Sequence, residues 1–367
     1  MYIYQKTGWP NLIWDDKSIL IPLSTARNLQ GKLTGKMEAI GFSLREEAIL
    51  ETLTIDLVKS NEIEEEILNS EQVRSSIARR LGMNVSGLIP SDHSIDGMVE
   101  MMLDATQKYE QALTKERLCN WHASMFPSGR SSMQKITIAN WRKDKDGPMQ
   151  VVSGAMGKES VHYQAPPAEL VNTEMNHFMN WFNSENTIEP VIKSGLAHVW
   201  FVTIHPFDNG NGRIARIIAD MQLARADRTN KRFYSMSAEI ERQKKAYYDI
   251  LEKTQKGSMD VTSWLLWFLE CLIEALEATD EILAKVLIKA KFWEKHAKTL
   301  INERQKLMIN KMLDAFFGKL NTSIWAKITK CSQDTALRDI QDLMEKDILL
   351  KELAGGRSTS YILNTAI

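Results

Sequence analysis

The stretch from His205 to Arg216, HPFDNGNGRIAR, constrains this chain more than any other. It follows an apolar run, PVIKSGLAHVWFVTI (Pro190 to Ile204), and leads into further residues of helical pattern. A glycine-rich turn between two such segments must break one helix and start another. The glycines let backbone N–H groups approach an anion, and the start of the following helix adds the positive end of its dipole. Arg213 and Arg216 are three residues apart, so they share one helix face and suit neighbouring phosphates. His205 stands just upstream, placed to take a proton from an attacking hydroxyl. The constellation predicts nucleotidyl transfer.

The same residues resemble the signature of the Fic (filamentation induced by cAMP) family, H-P-F-x-[D/E]-G-N-G-R-x-x-R. Every fixed position matches except Asn209, which stands where Asp or Glu is expected. Pro190 to Ile204 is similar to the apolar helix ahead of that motif, and Gly147 to Pro166 resembles the family's flap hairpin. About residues 105 to 270 resemble a Fic domain. The whole chain resembles bacterial Fic proteins with a helical extension in front and a winged helix behind. The resemblance implies a mainly α fold: a Fic-type helical domain with a short β-hairpin flap, and a C-terminal winged helix-turn-helix domain. It also implies a protein adenylyltransferase (AMPylase) that moves AMP from ATP to a Ser, Thr or Tyr hydroxyl of a target protein, with Mg²⁺ or Mn²⁺. Two alternatives stand beside it. The same fold carries out other nucleotide or phosphate transfers, or removes AMP; or the chain is a non-enzymatic, nucleotide-sensing regulator that binds DNA.

His205 is the expected general base, since an unperturbed imidazole titrates near pH ~6.5. Phe207 is expected to anchor the loop in the core. Gly210, Asn211 and Gly212 are expected to form an anion hole, with the Asn211 amide as a further donor to the phosphate. Arg213 and Arg216 should hold the β- and γ-phosphates. Asn209 offers a metal only a neutral oxygen, and magnesium prefers charged ones, so the metal position is weakened. Ser60 to Glu65, SNEIEE, resembles the family's inhibitory motif, [S/T]-x-x-x-E-[G/N]. That implies a Glu64 carboxylate paired with Arg216, in the space a γ-phosphate needs; Glu65 replaces the usual Gly or Asn. The same residues also read as a capping box, with Asn61 at the N-cap and Glu64 at N3 of the next helix. The flap, Val151 to Tyr163, should pair with an extended stretch of the target. Of Tyr247 and Tyr248, one should be core; the family pattern points to Tyr248 as the ring lining an adenine pocket.

A chain of 367 residues holds two or three domains. We expect an N-terminal helical region over 1–104, a catalytic domain over 105–276, a connecting helix over 277–305 and a winged helix over 306–367. A net charge of −1 gives no global attraction to nucleic acid or anionic membrane. Cys119, Cys271 and Cys331 are scattered and odd in number, which suits a reducing compartment. The start of the chain has no signal pattern, and Val261 to Leu276 is interrupted by Glu270 and Glu274, so it reads as a buried helix. The expectation is a cytoplasmic protein with no membrane partner. The recognition helix of the winged domain, Ser332 to Lys346, sets Asp334, Asp339, Asp342 and Glu345 against Arg338 and Lys346. DNA affinity comes largely from phosphate neutralisation, so this acidic helix disfavours DNA, with Arg357 the one cation well placed. Docking of protein, or of a second copy, is favoured. A homodimer and self-modification are expected by analogy.

Locally, the pattern predicts a helix break at Ser60–Asn61, a connector from Met83 to Asp96, and helices over Met98–Lys108 and Thr114–Met125. Strands are predicted at Ile136–Ile138 and Val151–Val152. Three helices, Met308–Gly318, Thr322–Thr329 and Ser332–Lys346, precede short β-leaning runs around Gly355–Gly356.

Overall fold

The helix from Pro190 to Ile204 is buried over every residue from Val191 onward. A helix buried on every side gives no face to water, so it becomes the axis around which the others pack. Pro190 fits its first turn because no intrahelical bond needs that nitrogen. The Glu189 side chain caps the start by accepting from the N–H groups of Val191 and Ile192.

The structure is a computed structural model. It describes residues 1–39, 41–83, 87–131, 134–144, 147–154, 160–185, 187–313, 319–352 and 359–364. After a short 3₁₀ turn at Ile3–Gln5, four helices follow: α1 (Asp16–Ala39), α2 (Phe42–Ile63), α3 (Ser70–Arg80) and α4 (His93–Gln107). Then come α5 (Lys115–Met125), the small hairpin β1 (Arg130–Ser131) and β2 (Gln134–Lys135), and the larger hairpin β3 (Gln150–Ser153) and β4 (Ser160–Gln164). The central helices are α6 (Ala168–Asn183), α7 (Pro190–Ile204), α8 (Asn211–Asp227), α9 (Met236–Arg242), α10 (Lys244–Lys256) and α11 (Thr262–Lys295). The C-terminal part is α12 (Glu303–Leu313), α13 (Thr322–Thr329), α14 (Gln333–Glu345), β5 (Leu349–Lys351) and β6 (Tyr361–Leu363).

The fold is mainly α with small hairpins, as expected. One hydrophobic core runs from Ile3 to Leu276, so the N-terminal helices share their interior with the central ones. A second, smaller core lies under α12, α13, α14 and the last hairpin, with Phe292 of α11 packed into it. The apolar run of α11 is buried through Trp264, Leu265, Phe268, Leu269, Cys271 and Leu272. Among the described residues no helix is long and apolar enough to cross a membrane.

Four local expectations are corrected. α2 runs straight through Ser60 and Asn61, and the chain breaks only after Ile63. Asn61 stays helical because its side-chain amide donates to the Leu57 carbonyl one turn back, at 2.9 Å. α4 begins at His93, so the connector after Met83 is shorter than read; its acidic first turn and buried apolar face start ahead of Met98. Ile136–Ile138 is not a strand, because the short pairing there joins Arg130–Ser131 to Gln134–Lys135 instead. No separate connecting helix spans 277–305: α11 is unbroken from Thr262 to Lys295, since no Gly or Pro interrupts good helix formers there. Arg357, Gly355 and Gly356 lie outside the described residues, as do 155–159 of the flap and the last residues of Met308–Gly318.

Candidate active site

α7 stops at His205, which takes a left-handed conformation, φ 54 and ψ 57. Nδ1 lies 3.1 Å from the Val202 carbonyl. A carbonyl only accepts, so Nδ1 carries the proton of the neutral ring and Nε2 keeps a free lone pair. Burial pushes the His205 pKa down to about 4; the Val202 carbonyl and the Glu64 charge oppose that shift, and Arg142 adds to it. The ring is therefore neutral at pH 7, as a general base must be.

The loop after His205 is closed by its own side chains. Phe207 is fully buried and stacks on His122, with ring centres 4.3 Å apart. Asn211 ties the loop across its mouth: its Oδ1 accepts from the Phe207 N–H at 3.0 Å, and its Nδ2 donates to the Phe207 carbonyl at 2.8 Å. The Asn211 side-chain amide is thus committed to the loop, and only its backbone N–H faces an incoming anion. Gly210 caps α8 in the left-handed region, φ 80, and a Cβ there would press on Met125 and Phe126. The N–H groups of Asn211, Gly212 and Arg213 open the helix and have no acceptor within it. Open N–H groups of this kind can receive an anion.

Arg213 and Arg216 are both buried, at 3% and 2% exposure, which excludes solvated surface side chains. Arg216 donates from Nε to Ser60 Oγ at 2.9 Å, and from Nη2 to the Ser60 carbonyl and to Glu64 Oε1, each at 2.8 Å. Arg213 donates from Nη1 to Asn61 Oδ1 at 3.2 Å and pairs with the Glu66 carboxylate. Its guanidinium also sits 5.3 Å from the Phe126 ring centre. One nitrogen of each remains buried without a partner, Nε of Arg213 and Nη1 of Arg216. Buried donors left unpaired are costly.

The end of α2 lies against both arginines. Glu64 is the C-cap of α2, and its carboxylate lies over Gly212, where any Cβ would overlap it. Burial opposes ionisation of Glu64, but Arg216 beside it, with Arg213 and His205 further off, outweighs burial and holds the carboxyl below its ordinary value of 4.5. A depressed carboxylate contributes its stability above the unfolded pKa and loses it as pH falls through the folded one. The Glu64–Arg216 pair is therefore fully formed across the neutral range. The capping-box reading of Asn61 and Glu64 is overturned: the next helix, α3, is capped by Asn69, which accepts from Glu71 and Gln72.

Glu65 has φ 63, the left-handed region that Gly and Asn tolerate best. This explains physically why Gly or Asn suits that place. Glu65 itself is exposed and makes a 3.3 Å ion pair with Lys244, which is worth little at the surface. Glu65→Gly removes a cost of about 1–2 kcal/mol for a side chain in that region. The extra chain entropy of glycine takes back about 0.5–1 kcal/mol. We expect a net gain of about 0.5–1 kcal/mol in a denaturant melt without nucleotide; a loss would show that Glu65 is not strained. The role of Glu66 was not legible in the sequence. Glu64 was expected on Arg216, but nothing in the run of glutamates marked Glu66 for Arg213.

Asn209 donates from Nδ2 to Ser131 Oγ at 2.8 Å, and its Oδ1 accepts from the Gly210 N–H. Asp208 points away, accepting from the Thr137 N–H at 2.7 Å. Among the described residues no group of three His, Cys, Asp or Glu side chains could hold a metal. The donor set therefore suits a nucleotide's phosphates, and a divalent ion only if those phosphates supply most of its ligands. Tyr247 is buried and its hydroxyl lies 2.9 Å from His198 Nε2, so it is the core member of the tyrosine pair. Tyr248 is exposed, and its hydroxyl donates to the Ile63 carbonyl at 3.2 Å, at the end of α2.

β3 and β4 pair antiparallel, with Val151 opposite Tyr163 and Val152 opposite Val161, around a bulge after Val151. Val152 and Val161 are exposed. Among the described residues the hairpin has no third strand.

Residues 112–223 match the model of the Fic/DOC family, and residues 2–83 match a domain of unknown function, DUF4172. A protein adenylyltransferase Fic of Aedes aegypti is 30% identical over 151 residues, 40% of this chain and 28% of that protein. A probable protein adenylyltransferase of Aquifex aeolicus is 31% identical over 103 residues, 28% of this chain and 30% of that protein. The chain thus spans less than a third of the length of these curated relatives. The crystal structure of a Fic family protein from Desulfovibrio desulfuricans G20 has the same fold, with a TM-score of 0.56 at 18% identity over 97% of this chain and 98% of that one. With its signature loop set between α7 and α8, this chain is a Fic/DOC family protein with an N-terminal DUF4172 domain.

Proposed function

We propose that the chain is a protein adenylyltransferase restrained by its own α2. The observation that carries the reading is the Glu64 carboxylate seated on Arg216 over the open first turn of α8. An anion site filled by an internal carboxylate is one that a phosphate fills when that carboxylate leaves. In the reaction, a Ser, Thr or Tyr hydroxyl of the target attacks the α-phosphorus of ATP and its proton passes to His205 Nε2. The bond to the β-phosphate breaks, and pyrophosphate leaves with its charge held by Arg213, Arg216 and the α8 N–H groups. Tyr248 borders the adenine side. A magnesium or manganese ion, shared between Asn209 and the phosphates, would neutralise phosphate charge. The flap, with free strand edges and the exposed Val152 and Val161, lays the target chain beside His205 by strand addition.

Targets include a second copy of this chain, through self-modification or within a homodimer. DNA is not favoured as the partner of the C-terminal domain. Asp339 of α14 is held by Arg304 at 2.8 Å and Asp342 by Lys346, yet the helix still presents more acid than base.

Asn209, neutral where the family signature has an acid, keeps other phosphate chemistry in view, so the test must identify the group transferred. Glu64→Gly protein incubated with Mg²⁺ and ATP labelled on either the α- or the γ-phosphate separates the readings. Adenylyl transfer leaves the α-label on protein and none of the γ-label, with a mass gain of one adenylate. Retention of the γ-label would sink the proposal in favour of phosphoryl transfer.

A further inference from the structure

Arg142 is 3% exposed and lies outside the signature loop, yet it holds that loop. Its backbone N–H donates to the Pro206 carbonyl at 2.9 Å, and its Nε donates to the His205 carbonyl at 2.7 Å. Its Nη2 donates to the Pro166 carbonyl, at the foot of β4, and its Nη1 pairs with Asp144. The second oxygen of Asp144 accepts from the Ala168 N–H at 2.8 Å, at the start of α6. One guanidinium thus joins three segments: the turn that presents His205, the end of the flap, and the helix after it.

A second brace joins two of the same segments. The Tyr163 hydroxyl of β4 donates to the Thr203 carbonyl at 2.6 Å, two residues before His205. Tyr163 is buried, so this bond is shielded from water. The need for such bracing is local. His205 is a β-carbon-bearing residue in the left-handed region, a conformation that costs about 1–2 kcal/mol and persists only where neighbours enforce it.

We infer that Arg142 is a positioning residue of the transfer site, fixing the His205 backbone and the flap strand in one rigid frame, with Tyr163 as its second brace. The inference rests on the reading of His205 as base and of β3–β4 as the seat of the target chain. A base and an incoming hydroxyl held by separate, independently mobile segments would lose the alignment on which in-line attack depends. A planar fork with fixed donors suits this task, and a lysine at the same place cannot reach both carbonyls.

The test uses full-length protein with Glu64→Gly as the active reference, and adds Arg142→Gln, Arg142→Lys or Tyr163→Phe. Three quantities are measured: the maximal labelling rate, the Kd for ATP by calorimetry, and the His205 imidazole resonance by NMR. A misplacement of about 1 Å costs on the order of 100-fold in rate. We expect that loss in both Arg142 variants and a smaller loss in Tyr163→Phe, with the Kd for ATP within about twofold and the imidazole signal shifted in all three. Restoration by lysine would show that charge alone matters and would overturn the inference. So would an unchanged rate, or a rate that falls only together with ATP affinity. Should Arg142→Gln not fold, Tyr163→Phe, which removes a single oxygen, decides the matter. If the Glu64→Gly reference itself transfers nothing, the proposed function has failed, while the imidazole signal still decides whether Arg142 sets the His205 geometry.

Discussion

Glu64→Gly is expected to bind ATP at least about tenfold more tightly than the native chain and to label protein faster by a similar factor. A charge-assisted hydrogen bond is worth about 1.5–3 kcal/mol, or roughly 10- to 100-fold in an equilibrium. Part of Glu64 is open to solvent, so the lower end of that range applies. The sign of the stability change distinguishes a lock from a simple defect. Without nucleotide, Glu64→Gly leaves Arg216 buried and uncompensated, so its Tm falls. With ATP at about 100 times its Kd, ligand binding returns about 2.7 kcal/mol, so the same variant gains more from ATP than the native chain does. Glu66 pairs with Arg213 as Glu64 does with Arg216. Adding Glu66→Ala to Glu64→Gly is expected to raise ATP affinity further, because the second arginine is then also free. Equal ATP affinities in native and Glu64→Gly protein, read by calorimetry, would show that the carboxylate merely fills space.

His205→Ala in the Glu64→Gly background is expected to lower the labelling rate by about 10²- to 10⁴-fold, the usual contribution of positioned base catalysis. ATP affinity should change little, because the phosphate donors belong to α8 and its arginines. The pH profile gives an independent check. With the His205 pKa pushed down to about 4, the base is already unprotonated throughout the neutral range. Removing the Glu64 charge takes away one influence that raises that pKa, so the plateau should extend no less far into acid. The expected kcat/KM for Glu64→Gly is flat from about pH 5.5 to 8 and falls only toward pH 4. Native protein should stay restrained over the same range, because the Glu64 carboxyl is held below its ordinary value. A limb near pH 6.5 that disappears with His205→Ala would place the imidazole in a more open setting than α7 provides.

The signature loop was legible because its chemistry is local. Gly210 needs a left-handed backbone, Arg213 and Arg216 share a helix face by their spacing, and Phe207 is apolar in a polar turn. The same held for α7, whose mostly apolar run was read as the apolar helix ahead of the motif. Tyr247 and Tyr248 were legible as a pair, but which of them is core depends on whether His198 stands within reach of a hydroxyl. Three local readings failed where side chains settle the backbone from outside the window. Asn61 looked like an N-cap, because Asn followed three residues later by Glu fits a capping box; its actual bonds go to Leu57 and Arg213. Ile136–Ile138 has strand-like residues but no partner strand, and strand propensity without a partner forms no sheet. The Asn211 amide looked free for phosphate and is instead spent on closing the loop.

By itself, the sequence determined the turn between α7 and α8, the residue types that line it, the mainly helical class and the burial of α11, since each follows from spacing and polarity along a single segment. Only the tertiary structure decided that Glu66 reaches Arg213, where Asn209 and Asp208 point, and that Arg142 and Tyr163 tie the flap to His205. Those pairings join residues as much as 147 positions apart, as in Arg213 with Glu66. Such contacts are fixed by how α2, α8 and the flap pack around α7, and no local pattern encodes the distance between them.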